Sequence, residues 1–362
     1  MKKLLVFVLL FVLGVTIPVG CAANSPPSAP GGGSAESSDV LSVYNWSTYI
    51  DPEVLTQFET EFGVTVQYDT YESNEALLAK IQPGNPGYDI IVPTGDYIES
   101  MAAEGLLEEL DHDNIPNLSN VSDEFLDPPF DLGNQYSVPY QWGTIGIGYN
   151  PTATGGEITT WEEIFDAKYA GRVALMEDPR AMLGSILMML GYDPNTTDPE
   201  EIEAAKDYVI EHKDVVATFA PDTGQDLLNQ GEVDIAVEWN GDIFQVMDEN
   251  EEIEYVIPEE GTIVWTDNLA IPKDAPNKAL AEEFINFVLR PEVSAAISNY
   301  VKYGTPNKVA LEQGLIDAED VDNPGIYPPP ETFKKLKYAE DLGDDTQLYD
   351  EVWTELKVAV GK

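Results

Sequence analysis

Strand-like and helix-like segments alternate along this chain of 362 residues from Val40 onward. The segment from Val40 to Trp46 is rich in β-branched and aromatic residues, which favours a strand. Asp51-Pro52-Glu53 then supplies an N-cap, a first-turn proline and an acid at the positive end of a helix that Gly63 terminates. A second strand is expected at 64–71 and a second helix at 73–81. The alternation predicts an α/β fold whose sheet contains parallel strands.

The same alternation continues towards the C-terminus. Further strands are predicted at 88–92, 137–149, 172–176, 233–237 and 253–257, and further helices at 96–110, after Thr160, at 179–190 and at 198–212. An α/β pattern of this length favours two lobes over one sheet. Because open α/β sheets bind ligands beyond the carboxyl ends of their strands, we expect the ligand between the lobes, near those ends.

The first 37 residues do not share this pattern. Two lysines precede an apolar run from Leu4 to Leu13 that is too short to span a membrane comfortably, so residues 1–20 are predicted to be a secretory signal peptide. Cys21, the single cysteine, follows a segment that resembles the lipobox of bacterial lipoproteins, with Pro18 where leucine is usual. We expect a lipid on Cys21, and residues 21–37, rich in proline, glycine and serine, as a flexible linker.

Charge and motif content narrow the class of function. Lys and Arg number 18 against 66 Asp and Glu, a formal net charge of −48, which argues against a nucleic-acid partner. Neither a G-x-S-x-G nor an H-E-x-x-H motif is present. A calcium-like string at 320–331 is interpreted as an acidic surface loop, because Pro324 replaces one of the ligands. We therefore predict a protein that is not an enzyme, without cofactor or metal, although a secreted hydrolase with two carboxylates stays an alternative.

Aromatic rings and acids recur where predicted strands end. A buried ammonium needs a carboxylate and further hydrogen bonds, and a ring face stabilises it further. Rings also cover methylene groups, so a linear polyamine matches both features. The junctions at which such acids, polar groups or rings fall are 44–49, 93–96, 177–180, 238–242, 265–268 and 303–306.

Several longer strings resemble the spermidine/putrescine-binding proteins of bacterial ABC importers, a branch of the two-lobed periplasmic binding proteins. The resemblance extends from Val43 to about Lys357 and implies a type 2 periplasmic-binding-protein fold, in which each lobe has a mixed sheet flanked by helices and the cleft lies between the lobes. The strings are Tyr44-Asn45-Trp46, Tyr71-Glu72-Ser73-Asn74-Glu75, Tyr88-Asp89-Ile90-Ile91-Val92-Pro93, Pro139-Tyr140-Gln141-Trp142-Gly143, Trp239-Asn240-Gly241, Asp267-Asn268-Leu269-Ala270-Ile271-Pro272 and Thr305-Pro306-Asn307.

The resemblance also implies domain limits and site residues. Lobe 1 is expected at 38–146 plus 266–311, and lobe 2 at 147–265 plus 312–362. Asp267 matches the family's central carboxylate for an amine. The ligand-binding residues that the resemblance implies are Trp46, Ser47, Tyr49, Thr94, Asp96, Asp178, Trp239, Asp242, Trp265, Asp267 and Tyr303.

Three positions depart from the family pattern. Ala181 stands where a glutamate usually meets an amine, Thr48 lacks an acid that some members carry, and Ala339 replaces a glutamine common in spermidine binders. Fewer acids favour putrescine or another short diamine, with Asp96 and Asp242 replacing the missing charge. We thus expect a monomeric, lipid-anchored extracytoplasmic receptor that delivers a polyamine to ABC permease subunits. A receptor of the same fold for another organic cation or solute is the alternative.

Overall fold

The computed structural model describes residues 39–361, so the predicted signal peptide, Cys21 and the linker lie outside the described residues. Within that range the strands confirm the alternation at nearly every predicted place. They are β1 (Val40–Trp46), β2 (Thr65–Tyr71), β3 (Ile90–Ile91), β4 (Ser137–Tyr149), β5 (Val173–Met176), β6 (Val216–Ala220), β7 (Ile235–Trp239), β8 (Glu254–Val256), β9 (Ile263–Ala270) and β10 (Lys337–Tyr338).

The helices fill the intervals between these strands and most of the C-terminal part. Those that follow β1 to β7 are α1 (Pro52–Phe62), α2 (Asn74–Ile81), α3 (Gly95–Ala103), α4 (Pro151–Thr154), α5 (Pro179–Leu190), α6 (Pro199–Glu211), α7 (Gly224–Asn229) and α8 (Asn240–Glu249). Those after β9 are α9 (Lys278–Val288), α10 (Pro291–Val301), α11 (Lys308–Glu312), α12 (Ala318–Val321), α13 (Pro330–Phe333) and α14 (Thr346–Val360).

The sheet is mixed, in the order β2-β1-β3-β9-β4-β7-β5-β6. β1 runs parallel to β2 and β3, and β5 runs parallel to β6 and β7. β4 is antiparallel to its neighbours, and β9 is antiparallel to β3 and β4 but parallel to the short β10, so the expectation of parallel strands does not hold for the centre of the sheet. β4 pairs with β9 over its first part and with β7 from Ile145 to Tyr149, and so joins a first half-sheet (β1, β2, β3, β9) to a second (β5, β6, β7).

Local sequence explains where individual helices begin and end. Asp51 Oδ1 accepts a hydrogen bond from Glu53 N at 2.8 Å, and Gly63 ends α1 with a φ of 69°. α3 is shorter than predicted, because Gly105 turns the chain with a φ of 71° and Leu107 then bridges to Pro272. The segment after Thr160 forms a 3₁₀ turn in place of an α-helix.

The acidic string at 320–331 also differs from its prediction. Asp320 is only 7% exposed and pairs with Lys302, whose Nζ lies 3.2 Å from Asp320 Oδ2. The prediction of an acidic surface loop is therefore wrong for its first residue, which starts no calcium loop but neutralises a buried lysine at the end of α10.

Candidate functional site

The predicted site residues follow the carboxyl ends of two sets of parallel strands, β1 with β3 in the first half-sheet and β5, β6 and β7 in the second. The two sets run in opposite directions, so that their carboxyl ends point towards each other where the half-sheets meet. Trp46 ends β1, and Thr94 follows β3. Asp178 follows β5, and Trp239 ends β7 with Asp242 in the first turn of α8. β6 contributes the loop that holds Asp222. The topology thus brings together residues that are far apart in sequence.

β9 and the loop after α10 complete the ring cluster. Trp265 and Asp267 lie on β9, and Tyr303 follows α10. The rings of Trp265 and Tyr303 are 5.0 Å apart between centroids, Tyr49 lies 5.3 Å from Tyr303, and Trp239 lies 5.7 Å from Trp265. These edge-to-face contacts hold four rings in one continuous wall.

Gly241 allows the ring of Tyr303 to pack closely against the start of α8. A Cβ there would lie 2.5 Å from the ring of Tyr303, closer than any side chain tolerates. The Trp239-Asn240-Gly241 string is therefore explained by close packing between the start of α8 and Tyr303.

A cavity of about 350 Å³ lies against this wall, which we name the slot. It contains nine of the eleven predicted residues, and the other two, Asp96 and Asp178, line a second cavity that shares Thr94, Trp239 and Trp265 with the slot. The residues that line the slot are Trp46, Ser47, Tyr49, Thr94, Asp222, Trp239, Asp242, Trp265, Asp267 and Tyr303.

Asp267 is the most isolated acid in the slot. It is 4% exposed, and its Oδ1 has no hydrogen-bond partner. Burial raises the pKa of Asp267 well above its usual range, and the nearby Tyr49 hydroxyl opposes only part of that rise. A buried carboxylate without a partner is costly, so this position favours a ligand that brings a positive charge.

Three carboxylates form a cluster at one end of the slot, and we call Asp222, Glu238 and Asp242 the carboxylate triad. Oxygen atoms from all three lie within 4.8 Å of one another. Ser47 Oγ donates to Asp222 Oδ2 at 2.6 Å, and the Tyr303 hydroxyl donates to Asp242 Oδ2 at 2.9 Å.

Burial dominates the electrostatics of the triad. It raises the pKa of Asp222 to about 6 and those of Glu238 and Asp242 well above their usual range. The charge of Asp222 adds to the rises of Glu238 and Asp242, and the charges of Glu72 and Asp226 add to that of Asp222. Burial therefore shifts each carboxyl towards its protonated form, and a bound cation would oppose that shift.

The second cavity, which we call the Arg180 end of the cleft, contains Asp96, Asp178 and Arg180 together with further acids such as Glu75. Burial and the charge of Glu75 raise the pKa of Asp178 to about 7, and burial raises that of Asp96. Arg180 opposes both rises, and Thr94 Oγ1 donates to Asp96 Oδ1 at 2.6 Å. Asp178 also caps α5, where its Oδ1 accepts from Ala181 N at 2.8 Å.

Two acids of the triad were absent from the sequence-based site. Glu238 sits inside the buried strand β7, with no exposure and with its oxygens accepting from Gly224 N and Trp239 N. Asp222 lies in a loop without a neighbouring ring. Glu238 belongs to the junction 238–242 named in the sequence analysis, and an acid near the end of an apolar strand, directly before Trp239, is the signal that could have assigned it to the site.

Comparison with known proteins identifies a matching family model and several similar proteins. Residues 53–326 match the family model described as bacterial extracellular solute-binding protein. Among the helices of residues 39–361, none combines the length and hydrophobicity that crossing a bilayer requires.

Individual relatives cover most of the chain. The spermidine/putrescine-binding periplasmic protein of Salmonella typhimurium is 38% identical over 89% of this chain and 93% of its own length. The putrescine-binding periplasmic protein SpuD of Pseudomonas aeruginosa is 35% identical over 91% and 95%. The structure of the spermidine/putrescine ABC transporter substrate-binding protein PotD of Streptococcus pneumoniae, in complex with calcium and HEPES, superposes with a TM-score of 0.78 at 37% identity, covering 89% of this chain and 99% of that one.

Proposed function

The chain belongs to the bacterial extracellular solute-binding protein family, and we propose that it is an extracytoplasmic receptor that binds a polyamine and delivers it to an ABC permease. The names of relatives at 35–38% identity refer to spermidine and putrescine. The observation that carries the proposal is the unpartnered oxygen of Asp267, buried in a slot walled by aromatic rings. A linear ammonium compound satisfies both the charge and the rings.

We propose putrescine or another short diamine as the preferred ligand. The slot offers two acidic positions, Asp267 and the triad, for the two ammonium groups of a diamine. A third amine would extend into the Arg180 end, where the guanidinium already opposes the negative charge of Asp96 and Asp178. Ala181 adds no acid there. Two acids were expected to replace the missing charge. Asp242 lines the slot, whereas Asp96 lines the second cavity together with Arg180.

We also propose that the halves of the molecule close on the ligand, with lobe 1 at 38–146 plus 266–311 and lobe 2 at 147–265 plus 312–362. The hydrogen bonds from Ser47 to Asp222 and from Tyr303 to Asp242 each join these two sets of residues. β4 and β9 carry the chain between the half-sheets. A ligand that contacts both sides would favour the closed state.

Thermal shift against a panel of solutes tests the ligand class. Putrescine, cadaverine and spermidine should raise the melting temperature, whereas monovalent inorganic salts at the same ionic strength should not. A response to other organic cations without a response to diamines would favour a receptor of different specificity. Recovery of chemically unchanged polyamine after incubation would exclude a hydrolase that acts on it.

We propose that a lipid on Cys21 anchors a monomeric receptor at the membrane surface. Mass spectrometry of the mature protein should find the acylated cysteine as its first residue, and Cys21→Ser should move the protein into the soluble fraction. Soluble wild-type protein that begins elsewhere would contradict the anchor.

A further inference from the structure

Within residues 39–361, the carboxylate triad has no positively charged partner. None of the ion pairs among residues 39–361 involves Asp222, Glu238 or Asp242. The charged groups that face it from neighbouring elements, Glu72 after β2 and Asp226 on α7, are also acidic. Three carboxylates this close cannot all be ionised in a buried site unless a cation joins them.

The hydrogen bonds that the triad receives come only from neutral donors. Asp222 accepts from Ser47, Asp242 from Tyr303, and Glu238 from two backbone amides at 3.1 and 3.2 Å. Gln245 Nε2 adds a long contact of 3.4 Å to Asp242. Such bonds lower the cost of one negative charge but leave the repulsion between three unchanged.

A second observation points independently to a ligand at this place. The slot lined by Asp222 and Asp242 is also lined by three buried polar groups without hydrogen-bond partners, namely the Tyr49 hydroxyl, Trp265 Nε1 and Asp267 Oδ1. All three side chains are at least nine-tenths buried. Unsatisfied polar atoms that converge on one cavity indicate that a polar molecule completes their hydrogen bonding.

The chemistry of the walls favours an ammonium group over a metal ion. Trp239, Trp265 and Tyr303 line the slot beside the triad, and ring faces attract alkylammonium ions. The methylene chain of an amine would also cover apolar surface that a metal ion would leave bare.

We infer that the carboxylate triad is an ammonium subsite that holds a proton when it is empty and releases that proton to solvent when a ligand ammonium binds. The inference rests on the proposed polyamine-binding function and assigns Asp222 and Glu238 to its site. No bond of the ligand is made or broken. The proton leaves a carboxylic O–H of the triad for water, and the ammonium of the ligand replaces it as the counter-charge.

The proton exchange determines how the affinity for the ligand depends on pH. Ligand ammonium groups have pKa values near 10 and stay charged between pH 5 and pH 7, so a change of affinity in that range belongs to the protein. Protons and ammonium compete for the triad, so acid weakens binding. A single competing carboxyl with the pKa of Asp222, about 6, lowers the affinity about tenfold between pH 7 and pH 5.

Titration calorimetry with putrescine tests this exchange. Measured at pH 6 in two buffers of different ionisation enthalpy, wild-type protein should release at least about half a proton for each ligand bound, and its affinity should fall at least about tenfold from pH 7 to pH 5. Glu238→Gln should still bind, with less proton release and a flatter pH profile. Glu249→Gln, the same change on the exposed end of α8, should keep both wild-type values.

The outcomes separate the two proposals. Wild-type protein that binds neither putrescine nor spermidine refutes the proposed function itself. Normal putrescine binding without proton release, or with a pH profile that Glu238→Gln leaves unchanged, overturns the proton exchange alone. Calcium or magnesium that stabilises the wild-type protein but not Glu238→Gln, with no proton release to putrescine, would make the triad a metal site instead.

A second variant covers the case in which Glu238→Gln does not fold. Asp222 has a φ of 31°, a conformation that asparagine tolerates well, so Asp222→Asn keeps the loop and the hydrogen bond from Ser47. It should flatten the pH profile in the same way. A wild-type profile in folded Asp222→Asn would equally overturn the proton exchange.

Discussion

The two ends of the cleft are both acidic, but only one of them contains a cation of its own. At the Arg180 end, burial still raises the pKa of Asp96 and Asp178, but the guanidinium opposes part of each rise. At the triad end, the neighbouring charges on described residues raise the pKa values further. One end is therefore partly neutralised by the protein, and the other is left for a ligand to neutralise. Counting acids along a cleft does not reveal where a cation binds unless the resident cations are counted too.

Asp267 is close to both ends of the cleft, and its removal should have the largest effect on putrescine binding. Asp267 lines the slot with two triad members, and the charge of Asp96 raises its pKa. Asp267→Ala should weaken putrescine binding by on the order of 3 kcal/mol, because the ligand cation loses its buried counter-charge. Calorimetry measures this, with Asp267→Asn as the shape-preserving variant. A loss below about 0.5 kcal/mol would mean that the amine binds elsewhere.

A matched pair of substitutions tests the two ends directly. Asp242→Asn should cost about 2 kcal/mol in putrescine binding, because a charge-assisted hydrogen bond becomes a neutral one in a place without another cation. Asp178→Asn should cost less than about 0.5 kcal/mol, since Arg180 already offsets that charge. Asparagine can still cap α5, so folding is preserved. Equal losses at the two positions would remove the distinction between the ends.

Local signals predicted much of the fold because they depend only on neighbouring residues. β1, α1 and α5 occur with the predicted bounds, since cap residues and strand composition lie within each segment. The antiparallel placement of β4 and β9 depends on pairing between residues more than 100 positions apart, which a pattern of alternation does not encode. The register between these strands is set by tertiary packing.

The candidate site was predicted by the rings and by family resemblance, and its least predictable part is the triad. Glu238 and Asp242 are four residues apart, but Asp222 reaches them only because β6 and β7 both lie beside β5. Arg180 was visible in the sequence, but its electrostatic effect on Asp96 depends on the folded structure. The charge balance of the cleft is therefore a property of the fold.

Removing the charge of Arg180 should leave the acids of the Arg180 end without a neighbouring cation, as at the triad end. Arg180→Gln should improve spermidine binding relative to putrescine by about 1 kcal/mol, roughly a fivefold change in the ratio of dissociation constants. Arg180 also stacks on Tyr349 and donates to Asn195, so some loss of stability is expected. Lys168→Gln, the same charge change at an exposed position, is the control. If the preference for spermidine over putrescine increased equally in both variants, the change would reflect net charge alone.

The smallest expected effect is on the stability of the ligand-free protein. A carboxyl whose pKa is higher in the folded state than in the unfolded chain binds more protons when folded, so stability falls as pH rises from about 4 through the folded pKa. For Asp222 the folded pKa is about 6, and the ligand-free melting temperature should therefore decrease between pH 5 and pH 7.5. Repulsion across a surface of net charge −48 acts in the same direction.

The contribution of the triad is the difference between the decrease of the melting temperature in wild-type protein and the decrease in Asp222→Asn. The decrease in Asp222→Asn should be smaller by a few degrees, because a change of about 2 kcal/mol shifts the melting temperature of a chain of this size by only a few degrees. Glu249→Gln removes one surface charge and should retain the wild-type slope. Saturating putrescine should flatten the wild-type slope as well, because the ligand supplies the counter-charge that the proton otherwise supplies. Identical slopes in wild-type protein and Asp222→Asn would show that Asp222 titrates with the same pKa in the folded and the unfolded chain, and the contrast between the two ends of the cleft would disappear.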